Sequence, residues 1–332
     1  MTSTAIESGA DVSSETSAPA VPLAARTRGL RKVYGSTVAV DHVDLDIPQG
    51  SVVGMLGPNG SGKTTTIRML LGLVRPSEGE VELLGRKMPD AAAHALPDVG
   101  ALVEGPGFHP FLSGRDNLLR FAAAEPRLAS SGIPLAVDSA LERVGLTVAA
   151  RRRYKGYSLG MKQRLGLASA LLVPRKMVVL DEPTNGLDPA GTREIRRIVA
   201  ELHAEGVTVL VSSHLLAEVE ATCTHVAVLQ AGNVVAQGEL AELLESGNAA
   251  LLVRTPDAEQ AVEVLRENRI GARLTPDGVR ADLTATEAPR VLQVLVGAGV
   301  AVHEATRART GLEDLFARLT ESSVDDSSGG SQ

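Results

Sequence analysis

The segment GPNGSGKT, residues 57–64, has the spacing G-x-x-x-x-G-K-[ST] between a short apolar run and a Thr/Leu-rich one. Glycines in that pattern let consecutive backbone N–H groups turn inward around phosphate oxygens. Lys63 adds a point charge for β- and γ-phosphates, and the Thr64 hydroxyl is a hard oxygen donor for Mg²⁺. The chemistry is nucleotide binding, with Gly57, Pro58, Asn59, Gly60, Ser61, Gly62, Lys63, Thr64 and Thr65 as candidates. A second group is MVVLDEP, residues 177–183, where Asp181 and Glu182 end an apolar strand. With that strand beside the one feeding the glycine loop, Asp181 faces the Mg²⁺ position and Glu182 can polarise an attacking water. His214 closes the apolar run VTVLVSS and is either a surface residue or a hydrogen-bond donor to the γ-phosphate. A third group is KGYSLGMKQRLG, residues 155–166. Ser158 stands where a helix N-cap belongs, and the first turn carries Lys162, Gln163 and Arg164 with no acid. That is a second anion-ready helix start, about a hundred residues after the first.

Strands and helices must alternate to place these groups. SVVGMLG reads as a strand, KTTTIRMLLGLV as a helix and KMVVLDEP as a strand; AGTREIRRIVAELHAEG is an amphipathic helix and VTVLVSSH a strand. HVAVLQAGNVVAQG is a hairpin with its turn at Gly232-Asn233. This alternation predicts a mainly parallel sheet covered by helices. The stretch RTRGLRKVYGSTVAVDHVDLDIPQG alternates apolar and polar residues and predicts an antiparallel sheet beside that core. Residues 115–150 read as helical. After ESGNA the segments ALLVRT, AEQAVEVLREN, ARLTP, VRADLT, APRVLQVLVGAG and VAVHEATR spell a ferredoxin-like βαβ-βαβ pattern, closed by a short helix GLEDLFARLT. The expected division is a disordered tail over 1–24, an ATPase domain over 25–245, a C-terminal α+β domain over 246–321 and a disordered tail over 322–332.

Composition removes several function classes. The 332 residues suffice for two or three domains. Net charge is −7, so binding driven by nucleic-acid phosphates is not expected. The chain has three Tyr, four Phe and no Trp, too few aromatics for a base-stacking platform. One cysteine, Cys223, rules out an internal disulfide or a Cys-rich zinc site. No apolar run reaches the ~20 residues that span a bilayer. The N-terminal segment lacks a basic region and an apolar region, so a secretory signal is not expected.

The P-loop, YSLGMKQR at 157–164, VVLDEP at 178–183, NGLD at 185–188 and His214 occur in an order that resembles the nucleotide-binding subunit of an ABC transporter. The resemblance covers about residues 26–240. It implies an α/β P-loop NTPase cassette with a parallel core sheet, an antiparallel β subdomain and a helical subdomain over about 104–172. The C-terminal ferredoxin-like domain stands outside it. The implied activity is ATP hydrolysis with Mg²⁺ between two chains facing head to tail. Tyr34 matches the aromatic that stacks on adenine, although it also reads as a strand aromatic packed on the sheet. Ser158, Leu159 and Gly160 match the signature that clasps ATP held by the other chain. Asp188 matches the loop aspartate at the dimer seam, or is simply an acid ahead of Pro189 at a helix start. His214 matches the switch histidine.

Three departures stand out. Leu159 and Met161 replace a glycine and a glutamine in the signature, Glu104 replaces a metal-facing glutamine and is a candidate Mg²⁺ ligand with Thr64 and Asp181, and NGLD replaces the commoner Ser-Ala-Leu-Asp. LVEGPGFHPFLSGRDNL resembles the antibiotic and multidrug exporter branch, whose permease is a separate chain. That implies a peripheral location at the cytoplasmic membrane face, a partner permease and a second ATPase copy. Phe108, His109 and Phe111 are candidates for the permease contact. The alternatives are a soluble ABC ATPase acting on ribosomes or DNA, an importer ATPase, and a nucleotide sensor without turnover.

Overall fold

A computed structural model describes residues 21–103, 105, 107–245, 250–308, 311–313 and 315. Glu104, both expected tails apart from residues 21–24, and most of GLEDLFARLT lie outside the described residues. Strands β1 (Leu23–Tyr34) and β2 (Thr37–Pro48) come first among the described residues, and β1 starts two residues before the expected domain boundary. Next come β3 (Val52–Leu56), α1 (Lys63–Leu70), β4 (Glu78–Leu83), β5 (Arg86–Met88), α2 (Ala92–Ala95) and β6 (Val99–Leu102). A helical layer follows: α3 (Gly114–Ala123), α4 (Ile133–Arg143) and α5 (Leu159–Ala170). Then come β7 (Met177–Asp181), α6 (Pro189–Ala204), β8 (Thr208–Ser213), α7 (Leu216–Thr222), β9 (His225–Gln230), β10 (Asn233–Glu239) and α8 (Leu240–Glu245). The last part holds β11 (Ala250–Arg254), α9 (Ala258–Glu267), β12 (Ala272–Thr275), β13 (Gly278–Asp282), α10 (Ala288–Gly297) and β14 (Glu304–Ala308).

The central sheet has the order β10-β9-β3-β8-β7-β6, parallel except for β10. β3 and β7 read as unbroken apolar runs because both faces are covered, one by α1 with the antiparallel sheet and the other by helices; all of β3 is buried, as is β7 up to Leu180. β8 pairs with both β3 and β7. The strand carrying Asp181 is therefore not beside the strand feeding the glycine loop, contrary to the sequence expectation. Neighbouring strands lie roughly 4.8 Å apart, so the two strand ends stand about 10 Å from each other, a gap that a polyphosphate and its metal can bridge. The long helix α6 turns Ile195, Ile198, Val199 and Leu202 inward at i, i+3, i+4 and i+7.

The antiparallel sheet has the order β2-β1-β4-β5. The sequence reading found its first hairpin and missed β4–β5, whose short EGEVEL segment has only Val81 and Leu83 buried. The β9–β10 turn is centred on Ala231 and Gly232, at φ 47° and 84°, with Asn233 already paired to Gln230. That is one residue earlier than the expected turn. Two positive φ values match the right-handed twist of the flanking strands. The third sheet, β12-β13-β11-β14, is antiparallel and joins its strands in the element order βαββαβ. Ala261 and Leu265 of α9 and Val291 and Leu295 of α10 pack on Leu251, Val253, Val279 and Ala281. Beyond β14 the chain returns to the first part of the molecule. Leu312 and Leu315 are buried with Leu56, Val219, Val226, Val228 and Leu240.

Candidate active site

The glycine loop joins the end of β3 to α1. Gly62 sits at φ 101°, and a Cβ there would stand 2.9 Å from the Ala39 carbonyl oxygen, so the loop closes only on glycine. Lys63 is 5% exposed; its ammonium donates to the carbonyls of Gly57 at 2.7 Å and Pro58 at 3.1 Å and lies 3.5 Å from Glu182 Oε1. Ser61 Oγ is buried in the loop with no hydrogen-bond partner among the described residues. A buried hydroxyl without a partner inside a glycine cradle suits an incoming anionic oxygen.

β8 links the two sides of the site. Ser212, fully buried, donates its hydroxyl to Asp181 Oδ1 at 2.5 Å and accepts the Glu182 N–H at 2.8 Å. Glu182 sits at φ 46°, in the left-handed region, and its Oε2 is 3.1 Å from His214 Nδ1. Lys63, Asp181, Glu182 and His214 therefore meet where three parallel strands end, the edge at which open α/β sheets bind ligands. Thr64 follows Lys63 in the first turn of α1. The Thr64 hydroxyl and the Asp181 carboxylate are hard oxygen donors, the chemistry Mg²⁺ selects. Tyr34 stands exposed at the tip of the β1–β2 hairpin, with Lys32 Nζ 5.0 Å from its ring centroid.

α5 begins away from this cluster. Ser158 caps it, its hydroxyl accepting the Met161 N–H at 3.2 Å. The two cations of the first turn have local partners: Lys162 stands 5.5 Å over the Tyr154 ring, and Arg164 donates to the Val144 carbonyl at 3.1 Å, where α4 ends. Met161 packs partly buried on the core of the helical layer. Leu159 is half exposed, and its Cδ2 lies 2.9 Å from where a Cβ of Gly186 would be. Gly186 has φ 71°. Two of the unusual residues are thus one contact: the leucine occupies space that NGLD leaves open. Asp188 caps α6, Oδ1 accepting the Gly191 N–H at 3.0 Å.

Residues 40–185 match the family model described as ABC transporter. The chain is 38% identical to the ABC transporter ATP-binding protein YdbJ of Bacillus subtilis over 293 residues, 88% of this chain and 94% of that one. It is 37% identical to the bacitracin transport ATP-binding protein BcrA of Bacillus licheniformis over 299 residues, 89% of this chain and 96% of that one. A bacterial ABC transporter cassette solved as a dimer superposes with a TM-score of 0.60 at 25% identity, covering 65% of this chain and 98% of that one.

This chain belongs to the ABC transporter ATP-binding proteins.

As a member of that family it is an ATP-binding cassette and an ATPase. Of the sequence-derived candidates, the fold gathers Lys63, Asp181, Glu182 and His214. It holds Ser158, Leu159 and Gly160 on a separate helix start beside the loop that ends in Asp188. Ser212 was not among the candidates, although a serine pair breaking an apolar strand just before His214 was a usable signal. Of the three permease-contact candidates, Phe108 is only 7% exposed, packed edge-on against Phe121 and Tyr154 at 5.1 and 5.3 Å, so it belongs to the core. Phe111 is 61% exposed, near His109 and under Lys155 Nζ at 5.2 Å. The buried Asn117 ties this loop down, accepting the His109 N–H and donating to the carbonyls of His109 and Ser113. Among the described residues no helix is long and apolar enough to cross a membrane.

Proposed function

We propose that this ABC ATPase drives export of an antibiotic-like or lipid-like compound through a separate membrane permease, at the cytoplasmic face of the membrane. The observation that carries the ATPase part is the convergence of Lys63, Asp181, Glu182 and His214 at one sheet edge. In this reading residues 25–245 form the ATPase and 246–321 an accessory unit. Export as the direction of transport is supported by the likeness to the bacitracin transport protein, which spans nearly the whole of both chains.

The triphosphate lies along the glycine loop, with Lys63 moving its ammonium onto the β/γ oxygens and Ser61 donating its unused hydroxyl. Tyr34 stacks on the adenine. Thr64 and Asp181 would hold Mg²⁺, which would supply positive charge to the phosphate oxygens. Glu182 orients and polarises the attacking water. His214, with Nδ1 at Glu182, uses its other ring nitrogen on the γ-phosphate. In a head-to-tail dimer, Ser158 and the N–H groups of Leu159 and Gly160 close on the γ-phosphate of the partner's ATP, with Asp188 at the seam. Closure is then driven by contacts made to ATP and lost on hydrolysis. Phe111 is offered as the permease contact.

Replacing Glu182 with Gln is expected to leave ATP affinity within a few-fold and to lower turnover at least ~100-fold. Turnover at the normal rate would remove Glu182 from the role of base. Solubilised membranes containing tagged chain are expected to release it with a polytopic protein. Recovery with ribosomes or DNA instead would overturn the transport reading.

A further inference from the structure

Behind the Glu182–His214 contact lies a second set of bonds. Two residues after Glu182, Thr184 Oγ1 donates to Glu218 Oε2 at 2.5 Å. One residue before His214, Ser213 Oγ donates to the same oxygen at 3.2 Å while accepting the Leu215 N–H at 3.0 Å. One carboxylate oxygen on α7 thus holds both loops that carry the proposed base and switch histidine. α7 itself is firmly seated. A Cβ on Gly54 of β3 would stand 2.6 Å from Val219 Cγ1 and 2.9 Å from Cys223 Sγ, so the helix packs directly on the strand that leads to the glycine loop. Leu312 and Leu315 fill the same apolar cluster as Val219. Glu218 is therefore mounted on a rigid support referenced to β3.

We infer that Glu218 is a positioning residue for ATP hydrolysis, tying the Thr184 and Ser213 hydroxyls to one carboxylate oxygen so that Glu182 and His214 keep their 3.1 Å contact. This rests on the proposed roles of Glu182 and His214. Glu218 touches neither reacting atom; it acts through the backbone of the two loops. Two hydroxyl donors on one ionised acceptor make charge-assisted bonds, stronger than neutral ones. Without that acceptor, Thr184 and Ser213 are left with donors to place elsewhere, and both loops can drift. A misplacement of about 1 Å at a reacting group costs on the order of 100-fold in rate.

The test uses the full chain and measures ATP affinity, KM and kcat together. Glu218→Ala and Thr184→Val are each expected to lower kcat about tenfold or more, with ATP affinity and KM within about twofold. Glu218→Gln, whose amide oxygen accepts both hydroxyl bonds, is expected to restore most of the lost rate. In a His214→Ala background, followed by single-turnover hydrolysis of labelled ATP, adding Glu218→Ala is expected to cost less than it does in the parent chain, because only one of the two loops it holds still carries a working residue. If Glu218→Ala does not fold, Thr184→Val carries the same reading, since it removes one hydroxyl and keeps the side-chain shape. Unchanged kcat in the single variants, or an undiminished cost beside His214→Ala, overturns the inference. Normal turnover in Glu182→Gln instead defeats the role of the pair itself, whatever Glu218 does.

Discussion

At the scale of single residues, Ser212 does more than its size suggests. It is fully buried, donates to Asp181 and accepts from the backbone of Glu182. Glu182 is held at φ 46°, a conformation that a residue with a long side chain adopts only when its surroundings impose it. Ser212→Ala leaves the Glu182 N–H without that partner, which costs about 1–3 kcal/mol in chemical denaturation. It is also expected to lower kcat while ATP affinity holds. Cys223 gives a second prediction. Burial pushes its thiol up to about 12, so it stays protonated and shielded near pH 8. Maleimide is expected to leave it unmodified in the folded chain and to label it after denaturation; rapid labelling of native protein contradicts this packing. Lys63, Asp181, Glu182 and His214 were legible in the sequence because each sits in a local pattern whose chemistry depends on residue type. Glu218 was not, and Ser212 showed only as one of a serine pair breaking an apolar strand. Their roles exist only once β7 pairs with β8 and α7 folds back, and the sequence does not state which strands are neighbours.

At the scale of elements, the start of α5 separates structure from function. Ser158→Ala removes the cap and is expected to cost about 1 kcal/mol. Aspartate caps as well as serine, so Ser158→Asp keeps the helix. In the proposed head-to-tail dimer it also points a negative charge at the partner's γ-phosphate. Ser158→Asp is therefore expected to melt like the parent, bind ATP as a single chain, and neither dimerise with ATP nor hydrolyse it. Retained ATPase in Ser158→Asp argues against the trans role. The basic first turn that made this helix look wholly anion-directed in the sequence has a partly local cause, since Lys162 lies over Tyr154 and Arg164 serves the end of α4. The Leu159–Gly186 contact is equally specific. Gly186→Ala combines a left-handed φ with a Cβ 2.9 Å from Leu159 Cδ2, and is expected to cost about 1–3 kcal/mol. Adding Leu159→Gly should return only the steric share, because the φ remains unfavourable for alanine. The unusual residues at 159 and 186 looked unrelated in the sequence because 26 positions of chain order separate what the fold brings together. The hairpin β4–β5 escaped for a different reason: four of its first six residues are exposed, so it carries almost no apolar pattern to read.

At the scale of the whole molecule, the third sheet was legible because α9, α10, β11 and β13 each bury a regular apolar set, whereas the return of the chain to α7 was not. Two leucines, Leu312 and Leu315, make that return among the described residues. Leu312 is fully buried, and Leu312→Ala is expected to cost about 2–5 kcal/mol. If that variant melted like the parent, the docking of this segment on α7 would be refuted. The distribution of aromatic rings has a further, optical consequence. Phe108, Phe111, Phe121, Tyr154 and Tyr157 all lie in or beside the helical layer, and the chain has no Trp. Tyr157 is 5% exposed and Tyr154 half-buried, while Tyr34 stands in solvent at the hairpin tip. Among the described aromatic residues, near-ultraviolet dichroism therefore reads one layer, with Tyr34 as a nearly separate reporter of the nucleotide under the proposed stacking. A single tryptophan introduced anywhere else would be seen against a dark background.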